Sequence, residues 1–162
     1  MSPRAAWRLE SLGFTKVFDY APGKLDWVSV GLPVEGTKAN EPNLGRLSRR
    51  DSPTCKLDER ISDVKARLQG DPTSPCVVVN DHRIVLGLLR SDAIQANGSK
   101  TVEDAMLKGP VTFRPNAALE EVDRYLTDHH LGYALVTTSD GELIGLAGSD
   151  DIRRRLAESK AG

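Results

Sequence analysis

Beyond position 53 the apolar residues fall into short blocks of two kinds. In the first kind, Ile61, Val64 and Leu68 follow the i, i+3, i+7 spacing of one helical face, and Leu119, Val122 and Leu126 do the same further on. In the second kind the apolar residues run consecutively, as CVVVN and IVLGLL and later as ALVTT and LIGLA, which predicts buried strands. Short strands are predicted ahead of the helices, around 54–56 and 111–113, and Asp58 and Asn116 are placed to cap those helices. Ser139-Asp140-Gly141 predicts a turn between the second pair of strands. Ser91 and Ser149 each open a last helix whose first turn carries acidic residues, favourable at the positive end of the helix dipole.

The two sets of blocks are copies of one pattern. A shift of 58 residues lays 54–94 on 112–152 without a gap and gives nine identities in 41 positions, among them Val78/Val136, Gly87/Gly145 and Asp92/Asp150. That is roughly four times the one in about 17 expected at ordinary composition. Each copy reads β-α-β-β-α. One copy is too small to bury a stable core, so two copies are expected to share one through pseudo-two-fold symmetry. The fold class is therefore α/β (α+β), with repeats at 53–100 and 101–159. Ahead of them, TKANEPNLGRLSRRDS (37–52) is polar and basic with a Pro and a Gly, and is read as a linker. Residues 1–36 carry separate helix and strand signals and both tryptophans.

Composition narrows the function classes. A formal net charge of −1 gives no general attraction to nucleic acid or to an acidic membrane. No apolar run approaches the ~20 residues of a bilayer span, and MSPRAAWRLE lacks a signal-peptide core, so a cytoplasmic protein is expected. Cys55 and Cys76 have no metal-ligand spacing, and the adjacent His129-His130 cannot both face one metal from a helix, so no metal site and no cofactor are expected. The histidines, like Arg153-Arg154-Arg155, also suit an ordinary solvated helix end or face.

The tandem β-α-β-β-α order, the strand ends VLGLLRSDAI and LIGLAGSDDI, and the helix TVEDAM leading into the second copy resemble the CBS-domain family. The resemblance implies a regulatory ligand-sensing module, not an enzyme, that binds an adenine nucleotide or related ligand between the repeats. It also implies a homodimer formed through them. Residues 2–34 resemble the C-terminal end of a rhodanese (sulfurtransferase) domain through Ala5-Ala6, Leu9, Gly13-Phe14, Val17, Pro22-Gly23, Trp27 and Gly31-Leu32-Pro33-Val34, in the order helix, strand, turn, helix. The loop that carries the family's nucleophilic cysteine has no counterpart here. An incomplete sulfurtransferase and a dimerisation scaffold that has lost its ligand are the alternatives.

The CBS resemblance also implies site residues. Nucleotide-binding members carry Gly, two apolar residues, Thr or Ser, two further residues and Asp. In the second copy this frame runs from Gly145 to Asp151. Asp151 stands where a ribose is held, Gly148 replaces the hydroxyl residue, and Ser149 beside it opens a helix whose N–H groups suit a phosphate. In the first copy Arg90 takes the hydroxyl position, where it can pair with a phosphate, and Ala93 takes the carboxylate position. Thr54 and Thr112 lie on the first strands, which line the family's cleft. A single dominant site is expected, bordered by Thr112, Gly148, Ser149 and Asp151. Plainer readings stand beside these: Asp151 suits any first helical turn, and threonine any strand.

Overall fold

The computed structural model describes residues 3–20, 23–29, 32–36, 43–68, 75–96 and 100–161, in two compact units that divide between Glu41 and Pro42. The first holds α1 (Pro3–Ser11) and α2 (Gly23–Ser29). Helix α1 ends at a left-handed Gly13 (φ 92), with Phe14 N–H donating to Leu9 O (3.2 Å) and Gly13 N–H to Glu10 O (2.9 Å), so the last turn's carbonyls are satisfied. Trp27 packs edge-on against Tyr20, and its indole N–H donates to Pro33 O (2.8 Å). The strand expected between the helices is not formed: a strand needs a hydrogen-bonded neighbour, and the described residues of this unit supply none.

The second unit runs α3 (Leu44–Leu47), β1 (Thr54–Cys55), α4 (Ile61–Arg67), β2 (Cys76–Val79), β3 (Val85–Leu89), α5 (Ser91–Gln95), α6 (Val102–Ala105), β4 (Leu107–Lys108), β5 (Thr112–Phe113), α7 (Leu119–Asp128), β6 (Tyr133–Thr137), β7 (Leu143–Gly148) and α8 (Ser149–Ala161). Two sheets result, β1-β2-β3-β4 and β5-β6-β7, with the first strand of each parallel to the second. Among the described residues, no helix is long and apolar enough to cross a membrane.

The repeat seen in the sequence is a symmetry of the structure. Val78 pairs with Gly87 and Val136 with Gly145, and a bulge follows each pair at the same place. The sheets meet where Ile84 bridges Glu142. There Val85 N–H donates to Gly141 O (3.0 Å) and Leu143 N–H to Arg83 O (2.9 Å). Each of these bonds becomes the other under the 58-residue offset, so a local two-fold axis passes between Ile84 and Glu142. The core between the sheets obeys the same exchange, with Val77 and Leu88 of one copy against Leu135 and Leu146 of the other.

Two expectations need correction. The segment read as a linker belongs, in its described part, to the folded repeat. Asn43 caps α3 by accepting from Arg46 N–H, as Thr101 caps α6 by accepting from Asp104 N–H. Leu44 and Val102, one offset apart, are both fully buried. Each leading helix serves the other copy: Leu44 joins Leu119, Val122 and Ile152, whereas Val102 joins Ile61, Val64 and Ile94. Gly45 N–H donates to Pro115 O (2.9 Å) and Glu103 N–H to Leu57 O (3.1 Å), another pair of offset mates. Second, Asp58 and Asn116 do not cap. The cap positions are Arg60 and Ala118, neither with a side-chain bond, because a turn intervenes and presents the Leu57 and Pro115 carbonyls to the incoming helices.

A cleft beside Arg90

The same exchange brings chain from one copy over the sheet of the other and opens a cleft of about 470 Å³. Its floor is the end of β3 and the start of α5, with Leu88, Arg90 and Ser91. One wall is the approach to β5, including Leu107, Val111 and Phe113, and the other is the turn between α7 and β6, His129 to Tyr133.

That turn is set by the end of α7. His130 adopts the left-handed conformation (φ 53) usual for glycine at this place, while Leu131 N–H donates to Leu126 O (2.8 Å) and His130 N–H to Thr127 O (3.2 Å). His129 stacks on Tyr125 with ring centres 4.0 Å apart, and Phe113 meets Tyr125 edge-on. His129 Nδ1 lies 2.9 Å from Tyr125 O. A carbonyl only accepts, so Nδ1 carries the proton and Nε2 is left for another partner. Burial pushes the Tyr133 phenol above its ordinary value, and the nearby Arg90 charge offsets part of that rise, so the phenol is neutral in neutral solution. Arg90 is exposed, with Nε 3.5 Å from Asp92 Oδ1. Cationic and apolar groups thus share one concave surface, the combination that holds an amphiphilic anion.

The other residues singled out in the sequence are placed as follows. Thr112 is exposed on β5 opposite Leu135, next to the cleft wall but not in it. Thr54 is half-buried on β1, and its carbonyl accepts from Arg67 (2.9 Å). Gly148 ends β7, and Ser149 begins α8 and donates its N–H to Gly132 O (2.9 Å). The Asp151 carboxylate, 23% exposed, is held by Arg49 (3.4 Å) and Arg154. The structure therefore does not gather Thr112 with Gly148, Ser149 and Asp151. Arg49 and Ser52, which lead into Thr54, reach that end of β7: Arg49 N–H donates to Leu146 O (2.8 Å), and Leu146 N–H to the Ser52 hydroxyl (3.1 Å). The segment around Thr112 goes with Arg90. The pairing is crossed because the leading segments change places across the two-fold axis. Tyr133, His129 and Leu107 entered the cleft unforeseen. Their only sequence signal was that Leu107 and Arg49 are offset mates, legible once the repeat is extended upstream of 53.

Residues 102–158 match the CBS domain family. CBSX2 in complex with AMP superimposes on 73% of this chain and 98% of its own, with a TM-score of 0.65 at 20% identity. The fold is that of a CBS domain pair. The pair in protein MJ0100, solved with 5-methylthioadenosine and S-adenosyl-L-methionine, superimposes on 73% of this chain and 98% of its own, with a TM-score of 0.63 and 17% identity. The cytosolic domain of the Mg2+ channel MgtE, solved with ATP, has a TM-score of 0.65 and 22% identity over 71% of this chain and 49% of its own. In sequence, 104 residues of this chain are 27% identical to an inosine-5'-monophosphate dehydrogenase of Korarchaeum cryptofilum (strain OPF8). That stretch is 64% of this chain and 22% of the dehydrogenase, so it spans about a fifth of that relative's length.

Proposed function

We propose that this CBS pair is a non-catalytic ligand-sensing module that binds an adenine nucleotide or related ligand in the cleft beside Arg90. The observation that carries the reading is the cleft itself, where the Arg90 guanidinium of the first copy faces the His129–Tyr133 turn and the apolar wall of the second. Three solved structures that share this fold were determined with AMP, with ATP, and with methylthioadenosine and S-adenosylmethionine. A ligand that touches both copies shifts their arrangement by as much as it prefers one arrangement over another. Homodimerisation through the repeats belongs to the same reading, and sedimentation velocity with and without AMP tests it.

Calorimetric titration of the chain with AMP, ATP and S-adenosylmethionine is the direct test. Charge-assisted hydrogen bonds are worth about 1.5–3 kcal/mol, so Arg90→Ala is expected to weaken nucleotide binding about tenfold or more. Unchanged affinity in that variant would move the site elsewhere. A second reading places the ligand at Asp151, the one carboxylate at the frame's ribose position. A ribose there has to displace Arg49, and Asp151→Ala then weakens binding where Arg90→Ala does not.

The sulfurtransferase alternative needs an accessible thiolate. Cys55 and Cys76 are both free and buried in the core of the first copy. The hydrogen bond with Cys76, together with burial, holds the Cys55 thiol far above its ordinary value, hence protonated. Thiosulfate:cyanide sulfurtransferase activity is expected at background, and activity above a Cys55→Ala/Cys76→Ala control would revive the enzyme reading.

A further inference from the structure

We propose that the Arg90 cleft recognises its ligand through an anionic group and an apolar ring alone, and so does not distinguish a ribose from a 2′-deoxyribose. The inference rests on the reading above that this cleft takes an adenine nucleotide, and it concerns which parts of the nucleotide are read.

Among the described residues the lining carries no aspartate, glutamate, asparagine or glutamine. Sugar hydroxyls offer O–H donors, and the acceptor that rewards them most is a carboxylate. The position that corresponds to Asp151 under the offset is Ala93, half-buried and packed on the core of the first copy. The adjacent Asp92 is not among the lining residues, and its Oδ1 lies 3.5 Å from Arg90 Nε and accepts Ala93 N–H at 2.9 Å. What remains among the described residues are the neutral Ser91 and Tyr133 hydroxyls, the imidazole nitrogens of His129 and His130, and backbone carbonyls, each a weaker partner for a hydroxyl than a carboxylate. Arg90 supplies the positive charge, and apolar groups are plentiful. Arg90 and the two histidines face the space, and its rim holds three of the seven large apolar side chains exposed among the described residues: Leu107 (51%), Val111 (53%) and Leu131 (37%). Exposed apolar groups gathered at one concavity are placed to cover a ring.

The test is calorimetric titration of the full chain with AMP, 2′-deoxy-AMP and adenosine. AMP and 2′-deoxy-AMP are expected to bind within about twofold of each other, and adenosine about tenfold or more weakly for want of the phosphate–Arg90 contact. Arg90→Ala is expected to remove the gap between AMP and adenosine while leaving the ratio of AMP to 2′-deoxy-AMP near one. Ala93→Asp, checked for folding by circular dichroism, is expected to create a preference for AMP over 2′-deoxy-AMP of about tenfold. A preference of fivefold or more for AMP in the unaltered chain, still present in Asp151→Ala, overturns the inference and leaves the Arg90 reading standing. The same preference abolished by Asp151→Ala places the ligand at the other end of the pair and overturns both, as does the absence of binding by any of the three.

Discussion

At the scale of single residues, the repeated glycines are explained by what crosses them. A side chain at Gly145 would run into the Arg49 carbonyl, and one at Gly87 into Met106 and the Leu107 carbonyl. Arg49 and Leu107 are offset mates, so both glycines clear the path of an incoming segment over the sheet. Gly132, by contrast, has open space where a methyl group would go. Overpacking against a backbone that cannot move aside costs about 1–3 kcal/mol. Gly145→Ala is therefore expected to lose about that much stability, and Gly132→Ala under about 0.5 kcal/mol, the usual size of a surface change. Urea denaturation of both variants checks this, and equal losses would show that the crossing is not what holds glycine at 145. The identity Gly87/Gly145 was visible in the sequence. Its cause was not, because the atoms that obstruct Gly145 belong to a segment read as a linker and those that obstruct Gly87 to the segment ahead of the second copy's first strand.

At the scale of elements, the consecutive apolar runs placed β2, β3, β6 and β7 to within about one residue at each end, since a buried strand is announced by its own residues. The helix starts were less legible. Asp58 and Asn116 have good capping chemistry, but the turn they occupy is needed to receive a helix from the other copy. Helix α3 was missed altogether: it has one turn, its neighbours are polar, and its single deep anchor is Leu44. Leu44→Ala is expected to cost about 2–5 kcal/mol, the range for a fully buried leucine, and Asn43→Ala about 1 kcal/mol for its cap. Thermal and urea unfolding measure both. A silent Leu44→Ala would restore the linker reading of that stretch.

At the scale of the whole molecule, stability is expected to reside in the second unit. Its three cores, one within each copy and one between the sheets, all lie after Pro42. A chain beginning at residue 42 is accordingly expected to unfold in one cooperative transition within about 4 °C of the main transition of the full chain, the shift that corresponds to under about 1 kcal/mol in a domain of this size. Differential scanning calorimetry of the two chains decides the matter. A larger drop would mean that the first unit contributes to the stability of the second. Variants that alter the core between the sheets, such as Leu135→Ala, should destabilise both copies together, because Val77, Leu88 and Leu146 come from both.

The sequence by itself determined that the chain is doubled, where the strands of each copy lie, and that the copies must share a core. Those facts are written in local periodicity and in self-similarity at a constant offset, and neither needs the third dimension to be read. Only the tertiary structure decided which copy each leading segment serves. Gly45 meets Pro115 and Glu103 meets Leu57 across a two-fold axis, through backbone hydrogen bonds that any residue type can make and that leave no mark in composition. That exchange sends the approach to Thr112 to Arg90 and the approach to Thr54 to Asp151, so it also decided which residues could ever share a ligand.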